Sequence, residues 1–150
     1  MHPTSLFAYG TLMFPEILGA LTEREFPRQD ARLGRYRRSC IYEGEMKQRP
    51  FPALTPDKHH EVHGVIIHDL DEESVLRIRF FEEENVLYRL LPITVEVNEK
   101  PVDTFAFHWH PLRPEYLRDE WDPEWFRTNH LDEYVHKVIP DTVQMYLSSR

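Results

Sequence analysis

Leu6-Phe7-Ala8-Tyr9-Gly10-Thr11-Leu12 runs directly into Met13-Phe14-Pro15-Glu16-Ile17-Leu18. The apolar run over residues 5–9 reads as a buried strand. Gly10 breaks it, and glycine takes backbone angles closed to other residues. Pro15 suits the first turn of a helix, where no N–H is needed, and Ile17, Leu18 and Leu21 recur at helical spacing. A helix over 15–22 follows. Strand, glycine turn and helix start expose several main-chain N–H groups in one place, which makes a site for a carboxylate or an oxyanion. The stretch therefore predicts a small anionic ligand along with the first two elements.

Beyond it, short strands alternate with a few separated helices. Residues 31–43 read as extended, with Leu33, Tyr36, Cys40, Ile41 and Tyr42 as apolar positions. Residues 61–69 read as a strand in which Gly64 marks a bulge or a close approach. Asp71-Glu72-Glu73 opens a helix to about Phe81, because acids suit the positive end of the helix dipole. Residues 88–97 form a strand that Pro92 assigns to an edge or a bulge. Residues 102–109 form another, with Phe105, Phe107 and Trp109 on one face. Asp122 caps a helix with Pro123 at its first position; it turns Phe126, Leu131, Tyr134, Val135 and Val138 inward and stops before Pro140. The pattern predicts a single α+β domain over 1–150, built as a small mixed β-barrel or strongly curved sheet with a few flanking helices.

Composition bounds the function. The chain has 150 residues, enough for one real core, with 41% hydrophobic and 13% aromatic residues. A net charge of −8 argues against a nucleic-acid partner, which needs clustered Lys and Arg. No apolar run approaches the roughly 20 residues that span a bilayer, so no membrane partner is expected. Met1-His2-Pro3 lacks the basic start of a signal peptide, and the lone Cys40 has no disulfide partner. A cytoplasmic location is the expectation. Oligomeric state is not encoded in any pattern visible here.

The second chemical feature is Arg79-Phe80-Phe81-Glu82-Glu83-Glu84, followed by Tyr88. A carboxylate beside two phenylalanines at a helix end has its charged form disfavoured, which makes it a better base near neutral pH. An acidic run is equally the mark of a solvated corner. Two histidine groups, His59-His60-Glu61-Val62-His63 and His108-Trp109-His110, place pairs on common strand faces. They lack the helical His-Glu-x-x-His spacing, so no metal is expected. Arg35, Arg37 and Arg38 read as a solvated face paired with Glu43 or Glu45, or as the mouth of a pocket. Cys40 reads as a small core residue. Trp109, Trp121 and Trp125 are set to cover the sheet or a partner.

In order along the chain, Tyr9-Gly10-Thr11-Leu12, Gly34-Arg35-Tyr36-Arg37, Phe51-Pro52-Ala53-Leu54, Val62-His63-Gly64-Val65, Phe81-Glu82, Tyr88-Arg-Leu-Leu-Pro-Ile-Thr-Val and Trp121-Asp122-Pro123-Glu124-Trp125-Phe126 resemble the motifs of the gamma-glutamylcyclotransferase-like, or AIG2-like, family. The chain departs from that pattern at the helix end. Ile78-Arg79 replaces a Leu-Asp pair, Glu83 stands where glycine is usual, and the loop to Tyr88 is about two residues longer. Spacing from Phe81 selects Glu82 as the functional acid, and spacing back from Tyr88 selects Glu84, with Glu83 between them.

The resemblance implies an enzyme without a cofactor. Its substrate is a small molecule with a gamma-glutamyl group in amide linkage to an amine or amino acid. The substrate's own alpha-amine closes onto the side-chain carbonyl, giving 5-oxoproline and the free amine. Glu82 is implied as the base and then the acid. The N–H groups of Gly10, Thr11 and Leu12 are implied as the oxyanion or carboxylate site, with Tyr9 and Tyr88 as pocket walls offering hydroxyls. A non-catalytic module that binds the same kind of metabolite is the alternative.

Overall fold

A computed structural model describes residues 2–43, 47–111 and 114–150. The chain folds around one seven-stranded sheet. Its strands are β1 (Leu6–Ala8), β2 (Arg28–Glu43), β3 (Lys47–Gln48), β4 (Ala53–Ile67), β5 (Tyr88–Val97), β6 (Lys100–Trp109) and β7 (Leu117–Glu120). Helix α1 (Pro15–Thr22) follows a short 3₁₀ turn at Thr11–Met13, and α2 (Glu72–Phe81) follows β4. A C-terminal helical run joins α3 (Pro123–Asn129), a single turn α4 (Leu131–Glu133), a wide π turn at Tyr134–Val138 and α5 (Ile139–Ser148). No helix among the described residues is long and apolar enough to cross a membrane.

The fold is thus α+β, and every paired strand in the sheet is antiparallel. Hydrogen-bonded neighbours run β1-β4-β2-β5-β6, with β3 and β7 also on β2. Of the two expected forms, the sheet is the curled one: it does not close into a barrel. Its two end strands meet through side chains instead. Ser5 Oγ lies 2.7 Å from Thr104 Oγ1, and the Tyr9 hydroxyl donates to the Phe107 carbonyl. Strand alternation sorts the side chains onto two faces. Phe7, Tyr9, Leu33, Leu54, Val62 and Val95 fill the inside of the curl. Leu6, Ala8 and Phe107 face a second core, which α1, α2 and the C-terminal run complete with Ile17, Ile78, Phe126 and Ile139.

Long β2 begins at Arg28, three residues before the expected start, and β4 begins at Ala53 rather than at residue 61. The early half of β4 is polar and punctuated by Pro52 and Pro56, so it lacks the apolar alternation of a strand. It pairs nonetheless: Tyr36 faces Pro56, Gly34 faces Glu61, and the register shifts between Gly34 and Tyr36, with Arg35 at φ 65°. Pro92 sits on an edge-like strand, since β5 meets β2 only at Arg32 opposite Glu96. The helix expected to stop before Pro140 continues to Ser148. A proline inside a helix removes an N–H and crowds the carbonyl of the preceding turn. The π turn ahead of Pro140 widens the backbone there and lets the run continue past it.

Gly64 marks a close approach. A Cβ there would collide with the Ala8 carbonyl and stand 3.0 Å from the Phe7 ring, whereas a Cβ at Gly34 meets nothing within 4 Å. Gly64→Ala should cost about 1–3 kcal/mol by overpacking β1 against β4. Gly34→Ala should stay within about 0.5 kcal/mol of the parent. Urea unfolding of the two variants side by side checks the pair.

Candidate active site

Strand β1 delivers Tyr9 and Gly10 to the edge of the curl. Gly10 has φ −123° and ψ −131°, so its φ is not the positive one that only glycine tolerates. Space is what requires it: a Cβ would stand 2.8 Å from Pro52 Cδ. Pro52 is held in turn by the Tyr88 hydroxyl, which donates to its carbonyl at 2.7 Å. The 3₁₀ turn uses the Gly10 and Thr11 carbonyls, which accept from Met13 N–H at 3.0 Å and Phe14 N–H at 3.2 Å. Among the described hydrogen bonds none uses the N–H of Gly10, Thr11 or Leu12, and no side chain caps the turn. Three main-chain donors are therefore available at one bend. Arg38 fixes this bend from below, donating to the Tyr9 carbonyl at 2.9 Å while its guanidinium lies 5.5 Å from the Trp121 ring.

Opposite the bend, α2 ends at Glu82. The Glu84 N–H reaches the Arg79 carbonyl at 3.1 Å and the Glu83 N–H reaches Phe80 at 3.2 Å, with Glu83 at φ 51°. That is a Schellman ending, whose left-handed residue is usually glycine. Glu83 thus occupies a glycine site, and the reversal it makes sends its exposed side chain away from the helix. Glu82 stays on the last helical turn beneath Phe81. The residue is partly exposed, and the protein atoms crowded around its carboxyl desolvate it. None of the described hydrogen bonds reaches that carboxyl. Burial, reinforced by the neighbouring Glu83 charge, pushes its pKa up to about 8. Tyr9, Tyr88 and Tyr134 surround it, and burial together with the Glu82 charge raises all three phenols.

Tyr9, Gly10, Thr11, Leu12, Glu82 and Tyr88 line one inner pocket of about 20 Å³, closed further by Phe51, Pro52 and Phe107. An outer chamber of about 190 Å³ shares Thr11, Phe51, Glu82 and Tyr88 with it. Glu82 stands at the junction. Glu83 lines the outer chamber but not the inner pocket and also borders the groove between α2 and α5, where Glu84 pairs with Arg79 at 3.7 Å. That groove, a wider concavity of about 820 Å³, is open and contains none of the bend residues. The tyrosine hydroxyls differ from expectation. Tyr9 gives its proton to Phe107 and Tyr88 gives its proton to Pro52, so these rings offer the pocket their faces and oxygen lone pairs, not free O–H donors.

Phe51, Pro52, Leu87, Tyr134, Val138 and Thr142 also line the site. Phe51-Pro52 was visible as a motif without a role, and Tyr134 and Val138 read as ordinary inward helix positions. The remaining clusters lie elsewhere. His60 pairs with Asp57 at 3.0 Å and His63 with Glu61 at 2.9 Å on exposed β4, while His108 is buried edge-on to Tyr36 at 5.2 Å. Among the described residues no three His, Cys, Asp or Glu side chains converge on a point. Arg37 pairs with Asp57 at 3.8 Å. Glu43 pairs with Arg49, which lies 5.3 Å from the Phe51 ring at the chamber mouth. Glu45 lies outside the described residues. Cys40 is buried, as a core residue would be.

The chain belongs to the family described as gamma-glutamyl cyclotransferase, AIG2-like, whose model matches residues 6–127. It is similar to AIG2-like protein C of Arabidopsis thaliana, 22% identical over 130 residues that cover 87% of this chain and 73% of that one. Among solved structures, one named gamma-glutamyl cyclotransferase superposes with a TM-score of 0.62 at 15% identity, covering 96% of this chain and 99% of the other. An AIG2-like protein from Mus musculus does so with a TM-score of 0.59 at 23% identity, covering 81% and 90%. At these identities the likeness is one of fold.

Burial of Glu82 has a stability signature. Unfolded, a glutamate titrates near 4.3; folded, Glu82 holds its proton to about 8. Between those values the folded chain binds more protons than the unfolded one, so this group's contribution falls as pH rises and levels off above about 8. Glu82→Gln should therefore gain on the parent as pH climbs from 5 to 9, by about 2–4 kcal/mol at the top. Glu83→Gly should be more stable by roughly 1 kcal/mol, because it removes a side chain from a left-handed position. Thermal melts across that pH range check both.

Proposed function

We propose that this chain is a cofactor-independent gamma-glutamyl cyclotransferase that releases 5-oxoproline from a gamma-glutamyl amine or gamma-glutamyl amino acid. The observation that carries the reading is the desolvated Glu82 carboxyl, whose residue lines one small pocket together with Gly10, Thr11 and Leu12, whose N–H groups no described hydrogen bond uses. Family membership supports the same reaction class.

The ionised Glu82 takes a proton from the substrate's alpha-ammonium. The freed amine attacks the gamma-carbonyl carbon, and its electron pair becomes the new ring C–N bond. The carbonyl pair moves onto oxygen. The donors at Gly10, Thr11 and Leu12 hold that oxyanion, or hold the alpha-carboxylate and so fold the substrate for attack. The oxyanion collapses, the old C–N bond breaks, Glu82 returns its proton to the departing nitrogen, and the ring nitrogen releases its second proton to solvent. No water is consumed. Nucleophile and electrophile are tethered, and well-oriented tethered pairs reach effective molarities of roughly 10⁵–10⁸ M. The protein's task is to fold the chain and to move one proton each way. A carboxyl with a pKa pushed up to about 8 suits both halves, since it gives the proton back as readily as it takes it.

Incubation with a panel of gamma-glutamyl amines and dipeptides should yield 5-oxoproline and the matching amine by mass spectrometry. Glu82→Gln should lower turnover by roughly 10²–10⁴-fold. Binding by calorimetry with no product in the parent would identify a metabolite-binding module instead. The acid limb of kcat/KM should fall near pH 8 and move down in Glu83→Gly, which removes one cause of the raised pKa. The substrate's own amine does not respond to that substitution, so the displacement belongs to Glu82.

A further inference from the structure

We propose that the C-terminal helical run is the specificity wall of this site, with Tyr134, Val138 and Thr142 selecting the group carried on the gamma-amide nitrogen. The assignment rests on the cyclotransferase reading and adds to it a role for residues beyond 127, where the family match ends.

The argument starts from volumes. The inner pocket, at about 20 Å³, holds little more than one water-sized group, and it is the side with the unpaired amides. It suits an oxygen of a carboxylate or oxyanion. Whatever else a ligand carries lies on the other side of Glu82, in the outer chamber of about 190 Å³. The departing nitrogen must sit within reach of Glu82, which shares both spaces. Its substituent therefore extends into the chamber whose far wall is Tyr134, Val138 and Thr142.

That wall is well held. The three residues follow one another at intervals of four along the run, so they share one face of it. The π turn at Tyr134–Val138 widens the backbone at the point where the run meets the chamber, and such single wide turns recur at functional sites. The Tyr134 ring is fixed edge-on to Phe126 at 5.0 Å and Phe81 at 6.4 Å. The Thr142 hydroxyl is already committed to the Val138 carbonyl at 2.8 Å. Ile139, between them in sequence, is fully buried and anchors the run to the helix-side core. The chamber's other walls are Phe51, Phe81, Leu87 and Tyr88, and no lysine or arginine among the described residues lines it, whereas Glu82 and Glu83 do. Such a lining favours an uncharged apolar substituent over one bearing a carboxylate.

The test uses Glu82→Gln as a folded, non-turning background and measures the affinities of gamma-glutamyl methylamide and gamma-glutamyl benzylamide by calorimetry. The benzylamide should bind about tenfold or more tightly than the methylamide, the worth of burying a ring in an apolar chamber. Adding Val138→Phe, or Thr142→Phe as an independent filling of the same wall, should reduce that ratio by about tenfold, because the added ring occupies the space the benzyl group needs. A ratio unchanged within about twofold in both filled variants overturns the proposal, and so does failure of either amide to bind the folded background protein. The parent's 5-oxoproline assay reports separately on the reaction. Selective binding that Val138→Phe and Thr142→Phe abolish, with no product from the parent, upholds the wall and removes the cyclotransferase reading.

Discussion

The desolvation of one carboxyl sets the terms for the rest of the molecule. Glu82 sits where a charge is poorly solvated and finds no protein hydrogen bond among those described. A fold gains nothing in stability from such a placement. Its neighbours make the placement tolerable without cancelling it. Three phenols surround the group, and Arg49, whose charge acts on Tyr88 and Tyr134, is paired with Glu43 at the chamber mouth. None of them neutralises the carboxylate by direct contact, which would lock it in the ionised form. A carboxyl left between its two protonation states is one that can exchange a proton in either direction.

Keeping that carboxyl opposite the bend requires a chain of fixed contacts. Tyr88 holds Pro52, Pro52 packs on Gly10 where no Cβ fits, Arg38 holds the Tyr9 carbonyl, and the Tyr9 hydroxyl ties β1 to β6. Each link joins segments far apart in sequence. Together they bridge the two ends of a sheet that its backbone leaves open. The tyrosines nearest Glu82 therefore serve the geometry first: their protons are already spent on carbonyls, and what they add to the pocket is a fixed shape. Loosening any one link would shift the amides relative to Glu82, and a shift of even an ångström is enough to spoil proton transfer.

Much of this was legible in the sequence, and what was not has a common cause. Strand β1, helix α1, the acidic start of α2 at Asp71 and the cap at Asp122 were readable because apolar spacing, dipole charge and capping chemistry are local. The first half of β4 was not, because its pairing with β2 comes from tertiary contact and not from its own polar residues. Pro140 misled because a wide turn offset its steric demand. At the helix end the local signal pointed two ways, to Glu82 by Phe81 and to Glu84 by Tyr88. The geometry separates them: the Schellman turn at Glu83 puts Glu82 at the pocket junction and turns Glu84 toward Arg79. Tyr134 and Val138 were visible only as apolar helix positions, since no local pattern tells a residue facing a core from one facing a cavity in that core.

That last ambiguity bears on how the site is built. The groups suited to proton transfer and oxyanion binding come from β1, the bend after it and the end of α2, all inside the family-matched residues. The wall of the outer chamber comes from the C-terminal run, which is anchored by Phe126, Ile139 and Tyr146 in the same core that carries α1 and α2. Backbone position on that run is thus set by buried residues, Tyr134 among them, while Val138 and Thr142, which also face the chamber, are only partly buried. A side chain there can change size without displacing Glu82 or the amides. On the proposed reaction, the division lets one scaffold keep a fixed proton-transfer geometry while the shape of the group it accepts is set by a few positions on a single helix face.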